Sequence, residues 1–171
     1  MEKNKIRKII FIILSIACMV VIFMFSADNA DASSKKSGTV VKVVVENFVE
    51  GYEEMPVEEQ ESIFSKVSFW VRKTAHFTIY MALGFCISGT YKKLKLVTPH
   101  TLVSLVICFL YACSDEFHQS FSPGRGPQFR DVMIDTSGAL MGILIFSLLA
   151  GIVTLIFSKG KKRIIIAEKS F

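Results

Sequence analysis

Ionisable side chains recur at helical spacing within apolar stretches of this 171-residue chain. Lys73, His76 and Tyr80 follow the i, i+3, i+7 pattern that places side chains on one face of an α-helix, and Gly84 continues it. Two further stripes have similar spacing. Their members are Ser104, Cys108, Tyr111, Asp115 and His118 in one, and Asp131, Asp135, Gly138 and Gly142 in the other. Cations and imidazoles of this kind bind anions, and carboxylates orient the cations or take part in acid–base chemistry.

These stripes predict a single polar pocket, because polar residues in membrane helices usually face the interior of the bundle or water. Glu116 lies about 100° around a helix from Asp115, so the two carboxylates cannot both point at the centre of that pocket. The residues predicted to line it are Lys73, His76, Tyr80, Asp115, Glu116, His118, Gln119, Arg125, Arg130, Asp131 and Asp135.

Membrane-spanning α-helices are the elements that must position these residues. The chain is 51% hydrophobic, with a mean hydropathy of +0.48 and clustered charges. A hydrocarbon core requires about 20 mostly apolar helical residues. Four spans are predicted at about 9–25, 75–90, 102–117 and 132–157, in one domain over 1–171. The first span has the basic start of a signal peptide, but its long apolar run favours a retained anchor. The fold class is therefore an all-α, polytopic helix bundle.

Lysine and arginine clusters precede the first span, separate the second from the third, and follow the fourth. The clusters are Lys3, Lys5, Arg7 and Lys8; Lys92, Lys93 and Lys95; and Lys159, Lys161, Lys162 and Arg163. With four spans all three fall on one side, which the positive-inside rule makes cytoplasmic. The sequence thus predicts a multi-pass protein of an inner (plasma) membrane with both termini in the cytoplasm. The net charge of +5 does not indicate nucleic-acid binding, because the lysine and arginine residues flank apolar runs, which is typical of membrane topology.

The outer loop, residues 26–74, is acidic and predicts one helix. Met55-Pro56-Val57-Glu58-Glu59 is typical of a helix start, with proline early and acids in the first turn. Ile63, Phe64 and Val67 share a face beyond it, and Trp70 suits a membrane interface. We expect an amphipathic helix that lies on the outer surface and runs into the second span. The alternative is a solvated loop containing one helix.

Four basic residues lie at the outer ends of spans, contrary to the positive-inside trend: Arg72, Lys73, Arg125 and Arg130. A ligand there should need positive charge. The proline and glycine residues of 122–127 predict a tight turn that folds Arg125 over the pocket. The start of the fourth helix beside Arg130 also favours an anion, because its backbone N–H groups point outward.

Three sequence motifs and a weaker fourth resemble those of a known family. Arg72-Lys73-x-x-His76-Phe77-x-x-Tyr80-x-x-Leu83-Gly84 is similar to the second-helix signature of the VanZ-like membrane family. Ser114-Asp115-Glu116-Phe117-His118-Gln119-x-Phe121-x-Pro123-Gly124-Arg125 resembles its most specific motif. Arg130-Asp131-x-x-x-Asp135-x-x-Gly138-x-x-x-Gly142 continues it, and Phe25-Ser26 followed by Ser33-Ser34 resembles a weaker first motif. The resemblance implies a cell-envelope role, and the founding member is associated with teicoplanin resistance. It implies no reaction, and residues 35–65 match no motif.

Three functions remain open. The leading hypothesis is binding of an anionic headgroup, either a membrane lipid, a polyprenyl-phosphate-linked wall precursor or a lipoglycopeptide. The second is an intramembrane enzyme acting on a lipid phosphate, although no nucleophile motif such as GxSxG occurs. The third is an accessory partner of another membrane protein, docking through the acidic loop or the Gly138–Gly142 GxxxG face. The alternative without a ligand is that the charged residues form ion pairs that only fix the bundle.

We expect no metal and no cofactor. Glu116-x-His118 with His76 and Asp135 offers suitable ligand types, but the lysine and arginine side chains nearby argue against a cation. The four cysteines all lie in apolar stretches without a CxxC pair, which predicts reduced core residues and neither disulfides nor a zinc site.

Overall fold

The computed structural model describes residues 2–26, 30–91, 98–121 and 128–168. These residues form five α-helices and one 3₁₀ turn, with no β-strand among them, which confirms the predicted all-α class. The helices are α1 (Glu2–Ser26), α2 (Ala30–Phe48), α3 (Val57–Gly89), α4 (Pro99–Gln119) and α5 (Phe129–Glu168), and the 3₁₀ turn is Tyr52–Glu54.

Two helix starts follow from local sequence. Pro56 directly precedes α3, and Glu58 and Glu59 occupy its first turn, where acids favour the exposed N–H groups. The side chain of Thr98 caps α4 by accepting a hydrogen bond from the Thr101 backbone N–H at 3.3 Å. Prolines and caps of this type favour a helix start through contacts within the local sequence.

Helix α3 lies at the centre of the bundle, in contact with α1, α2, α4 and α5, and most extensively with α5. Glycines make this last contact close: a methyl group at Gly138 or Gly142 would overlap the backbone carbonyl oxygen of Phe77 or Met81 respectively. A methyl group at Gly84 would likewise overlap a backbone carbonyl of α5. The GxxxG face therefore packs within the chain, as small residues do where helices approach closely.

The two ends of the bundle differ in chemistry. At one end, Arg7 of α1 donates a hydrogen bond to the Tyr91 carbonyl just after α3, at 2.7 Å. The rings of Phe11, Phe85 and Phe146 meet nearby, with centroids 5.1 to 6.4 Å apart. At the other end, the last residue of α1 contacts the last residue of α4. Thus α1 and α4 run in one direction, and α3 runs in the opposite direction.

Three helical segments are long and apolar enough to cross a membrane: Asn4–Ser26, Pro99–Gln119 and Phe129–Ile156. Most of their surface is uncovered by other parts of the described chain, and in the first only 17% of the most apolar window is buried. Apolar surface of this extent is stable against lipid and not against water. Helix α3 contains no stretch that is as long and as apolar as these three segments, because polar side chains interrupt its apolar part.

The segment predicted as the outer loop contains more helix than the sequence indicated. Prediction of a single helix there was incomplete, since α2 precedes it and buries Val41 and Val45 in a contact with α3. The predicted amphipathic segment is the first part of α3 and continues without interruption into the second predicted span. Trp70 on this part is 60% exposed. The four cysteines are free thiols in the structure, with Cys86 and Cys108 buried and Cys18 and Cys113 half-buried.

Candidate functional site

Three side chains from three helices meet in the interior at the polar end of the bundle. His76 of α3, Asp115 of α4 and Asp135 of α5 each offer one potential ligand atom, and these atoms lie within 4.8 Å of one another. Asp115 and Asp135 are each 5% exposed. His76 Nδ1 is 3.9 Å from Asp135 Oδ2. We call these three residues the triad.

An ion pair and an aromatic ring form the rim above the triad. The Lys73 ammonium pairs with the Asp131 carboxylate, and the two side chains are 20% and 14% exposed. The Phe69 ring lies beside two cations, with its centroid 5.4 Å from Lys73 Nζ and 5.9 Å from Arg130 Cζ. Because Arg130 is exposed at the first turn of α5, this rim is the part of the site nearest the protein surface.

A hydrogen-bond chain ties α1 to the site. Gln119 Nε2 donates to Asp115 Oδ2 at 3.0 Å and to Ser26 Oγ at 3.1 Å. Ser26 is fully buried. Ser26 is absent from the predicted pocket residues, although it belongs to the Phe25-Ser26 motif; that motif was the signal that could have found it.

Glu116 lies apart from the triad, as its position around the helix predicts. It is 7% exposed, and its Oε1 accepts a hydrogen bond from the Gln128 backbone N–H at 2.6 Å. This bond joins the end of α4 to the residue before α5. The carboxylate therefore fixes the entry into α5, in the manner of a side chain that satisfies a backbone donor at a helix start.

Tyr80 and His118 pack in different surroundings. Tyr80 is fully buried beneath the triad, with its ring centroid 6.3 Å from that of Tyr111. The Tyr111 hydroxyl donates to the Met19 carbonyl at 2.7 Å. The His118 ring lies against Phe23 of α1, with centroids 4.5 Å apart. Arg125 falls outside the described residues, so its predicted position over the pocket stays a prediction.

A comparison with protein families bears on this arrangement. The family model described as VanZ/LLP1 matches residues 11–150, which is most of the chain. The chain belongs to the VanZ/LLP1 family. The resemblance seen in the sequence motifs is thereby confirmed, and every described residue of the site lies inside the matched region. No curated protein and no solved structure matches the chain.

The VanZ/LLP1 chain also has a cleft of about 460 Å³ that the sequence did not indicate. It lies outside the triad, along the first half of α3 and the 3₁₀ turn. Its lining residues are Tyr52, Val57, Gln60, Glu61, Phe64, Ser65, Ser68 and Arg72. Ser68 is 3% exposed, and its hydroxyl has no hydrogen-bond partner within the described part of the chain.

The chemistry available to this VanZ/LLP1 site differs with depth. The rim carries the cations Lys73 and Arg130, the first turn of α5 and an aromatic ring, which suit an anionic group. The interior carries two buried carboxylates and an imidazole, which suit a cation or proton transfer. The sequence predicted the members of both layers but not their separation, because the separation depends on how far each side chain lies from the end of its helix.

Proposed function

We propose that this VanZ/LLP1 protein spans the bacterial plasma membrane four times and binds an anionic lipid headgroup in a pocket that opens outward. The observation that carries the proposal is the rim: Lys73 and Arg130 flank Phe69 beside the first turn of α5. These cations lie at the end of the bundle opposite Arg7, a member of the first basic cluster that favours the cytoplasm. At the rim itself, Arg130 and the first turn of α5 favour a negatively charged ligand, whereas the carboxylates lie deeper or are paired.

The second part of α3 would be the remaining span, which is the second of the four in chain order. Its last turn lies beside Arg7 and Phe11 of α1, and its Lys73–His76 turn is level with the C-terminal end of α4. Between these points α3 runs beside helices that themselves qualify as spans, so it must cross the same thickness. Its polar groups face Asp115, Asp131 and Asp135 and not lipid, as intramembrane polar groups generally do. Four crossings put both termini in the cytoplasm.

The rim would hold the headgroup by charge-assisted hydrogen bonds. Arg130 presents a planar donor fork that matches phosphate oxygens, and Lys73 adds a point charge held in place by Asp131. The first backbone N–H groups of α5 are also available to an anion. The acyl or prenyl chain would then remain in the bilayer beside the exposed apolar faces of α4 and α5.

The ligand we favour is a lipid-linked phosphate, such as a polyprenyl-linked wall precursor, and a lipoglycopeptide of the teicoplanin type is the second possibility. Both combine an anionic group with a hydrocarbon tail. Sequestering either one at the outer surface would change the sensitivity of the cell to such an antibiotic. A contribution to glycopeptide resistance is therefore part of the proposal.

Lipid binding can be tested with the full chain in nanodiscs, using a labelled polyprenyl phosphate as the probe. Arg130→Ala should weaken binding about tenfold, the loss expected when one charge-assisted hydrogen bond to the ligand is removed. The matched control is Lys66→Ala, which removes an exposed cation from the same outer part of α3. Equal binding by wild type and Arg130→Ala, with both proteins folded, would rule the proposal out.

The triad favours a second candidate function, hydrolysis or transfer of the lipid phosphate. A histidine with two carboxylates beside a phosphate-binding rim contains the parts of an acid–base site. Purified protein should then release labelled phosphate from the bound lipid, and His76→Ala should abolish release while headgroup binding persists. Binding without any turnover by wild type would leave the protein as a binder.

A further inference from the structure

We infer that His76, Asp115 and Asp135 form a binding site for one divalent transition-metal ion of the Zn²⁺ or Mn²⁺ class. The inference concerns the interior layer of the site, whereas the proposed headgroup binding concerns the rim. It stands independently of lipid binding, since it needs no lipid to be tested.

Geometry is the first support. Three helices each contribute one ligand atom, and the three atoms lie within 4.8 Å of one another. Ligands bound to one ion at about 2.0–2.2 Å lie roughly 3–4 Å apart, so small side-chain rotations complete the set. The close backbone contact of α3 with α5 at Gly84 and Gly138 holds His76 and Asp135 opposite each other. Ligands on rigid helices are suited to a defined coordination geometry.

Charge is the second support. Four buried or half-buried carboxylates gather at this end of the bundle, and they are Asp115, Glu116, Asp131 and Asp135. Lys73 pairs with Asp131, and Glu116 accepts the Gln128 N–H. The two triad carboxylates lie close together at low exposure, and the neighbours described for them are the Gln119 amide and the His76 imidazole, neither of which is a permanent cation. Buried negative charge that is not fully offset is destabilising. A divalent cation between them offsets that charge.

An unsatisfied hydroxyl is the third and independent support. Tyr80 is fully buried on the same stripe of α3 as His76, one helical turn further into the bundle. Its hydroxyl has no hydrogen-bond partner among the described residues. A buried polar group of this kind calls for an explanation. Carboxylates that bind a metal are commonly held by hydrogen bonds from neighbouring groups, and the unpartnered Tyr80 hydroxyl is a donor for that role.

The structure shows where the cations that argued against a metal lie. Lysine and arginine near the pocket argued against a cation, but Lys73 is paired with Asp131 at the rim and Arg130 stands over Phe69. Neither cation belongs to the triad. The ligand set differs from the one considered from the sequence, because His118 packs against Phe23.

The donor set specifies the class of ion. One imidazole nitrogen and two carboxylate oxygens suit borderline divalent ions better than Ca²⁺, which prefers six to eight oxygens, and the absence of a thiolate from the triad disfavours Cu⁺. Three protein ligands leave coordination positions open for water or for a phosphate oxygen.

Metal binding can be measured on the full chain in detergent, stripped with chelator and titrated with Zn²⁺ or Mn²⁺ alone. We expect saturable binding of about one ion per chain. Binding should be lost in His76→Ala and Asp135→Asn, and weakened about tenfold in Tyr80→Phe, as expected for a supporting residue. The matched control is His100→Ala, since His100 stacks on Tyr91 at the opposite end of the bundle.

The inference is wrong if the wild-type chain shows no saturable binding. It is also wrong if folded His76→Ala binds the metal as wild type does, or if binding is lost in His118→Ala but kept in His76→Ala and Asp135→Asn. A readout on the wild-type chain guards against variants that fail to fold. Electron spin-echo modulation of bound Mn²⁺ should reveal one imidazole nitrogen, and its absence would count against the site. A chain that binds metal but no lipid would overturn the proposed function and leave this inference intact.

Discussion

At the scale of single residues, the arrangement of charge defines the site. Lys73 and Asp131 neutralise each other at a position that is still reached by solvent. Asp115 and Asp135 lie deeper. The Gln119 amide donates a hydrogen bond to Asp115, and the His76 imidazole lies beside Asp135. Removing one partner of a partly buried ion pair destabilises the fold, because the remaining charge loses its partner without regaining full hydration.

Removal of Lys73 tests this energetic argument. Lys73→Met should lower the free energy of unfolding by about 1–3 kcal/mol, a value below that of a fully buried pair because both side chains keep some exposure. The double variant Lys73→Met with Asp131→Leu should recover most of the loss, since no unpaired charge remains. Thermal unfolding in detergent measures both. Equal destabilisation by the double variant would show that the pair itself supplies the stability.

At the scale of helices, α3 organises the protein. Its second part contacts α1, α4 and α5 and presents His76 and Lys73 to them, whereas its first part carries α2 through the buried Val41 and Val45. The contact with α5 has the least freedom, because three glycines are needed for the backbones to approach. Any change that moves α3 away from α5 also separates His76 from Asp135.

Gly142 is the position at which this contact is most readily tested. Gly142→Ala places a methyl group against the Met81 carbonyl, so the helices must separate, and we expect a loss of about 1–3 kcal/mol as for other overpacked interiors. Gly151→Ala is the matched control on the same helix, since a methyl group there meets no atom within 4 Å. Thermal unfolding of the two variants decides the matter. Similar midpoints for both would mean that α3 and α5 are not closely packed.

At the scale of the whole molecule, the bundle is polar at one end and aromatic at the other. Ser26, Asp115 and Asp131 mark the polar end, and Phe11 and Phe85 mark the aromatic end. Three helices meet the requirements of a span, and the position of α3 beside them leads to the proposed fourth crossing. This crossing decides on which side of the membrane the loop after α3 lies.

Cysteine labelling in intact cells tests the topology. In a chain whose own cysteines are replaced by alanine, Glu53→Cys should react with a membrane-impermeant maleimide. Lys5→Cys and His100→Cys should react only after permeabilisation; all three positions are exposed at the protein surface. If α3 does not cross, His100 lies on the outer side and its cysteine labels in intact cells. That result would contradict the four-span topology.

The sequence by itself determined the helical class, three spans and the membership of the polar stripes. Each of these depends on local periodicity and on the general cost of placing ionisable groups in hydrocarbon. The position of Glu116 away from Asp115 followed from the helical angle alone. Family membership followed from motifs such as Ser114–Arg125, because the residue types at those spacings are specific.

Only the tertiary structure decided which atoms meet. The sequence put Lys73, His76 and Asp131 in one pocket, but their division into a rim pair and an interior triad depends on the axial level of each helix. Helix α2 was missed because its stability comes from Val41 and Val45 packing on α3, a contact between helices that periodicity does not report. Distances between atoms on separate helices are set by backbone packing, which here depends on Gly84, Gly138 and Gly142.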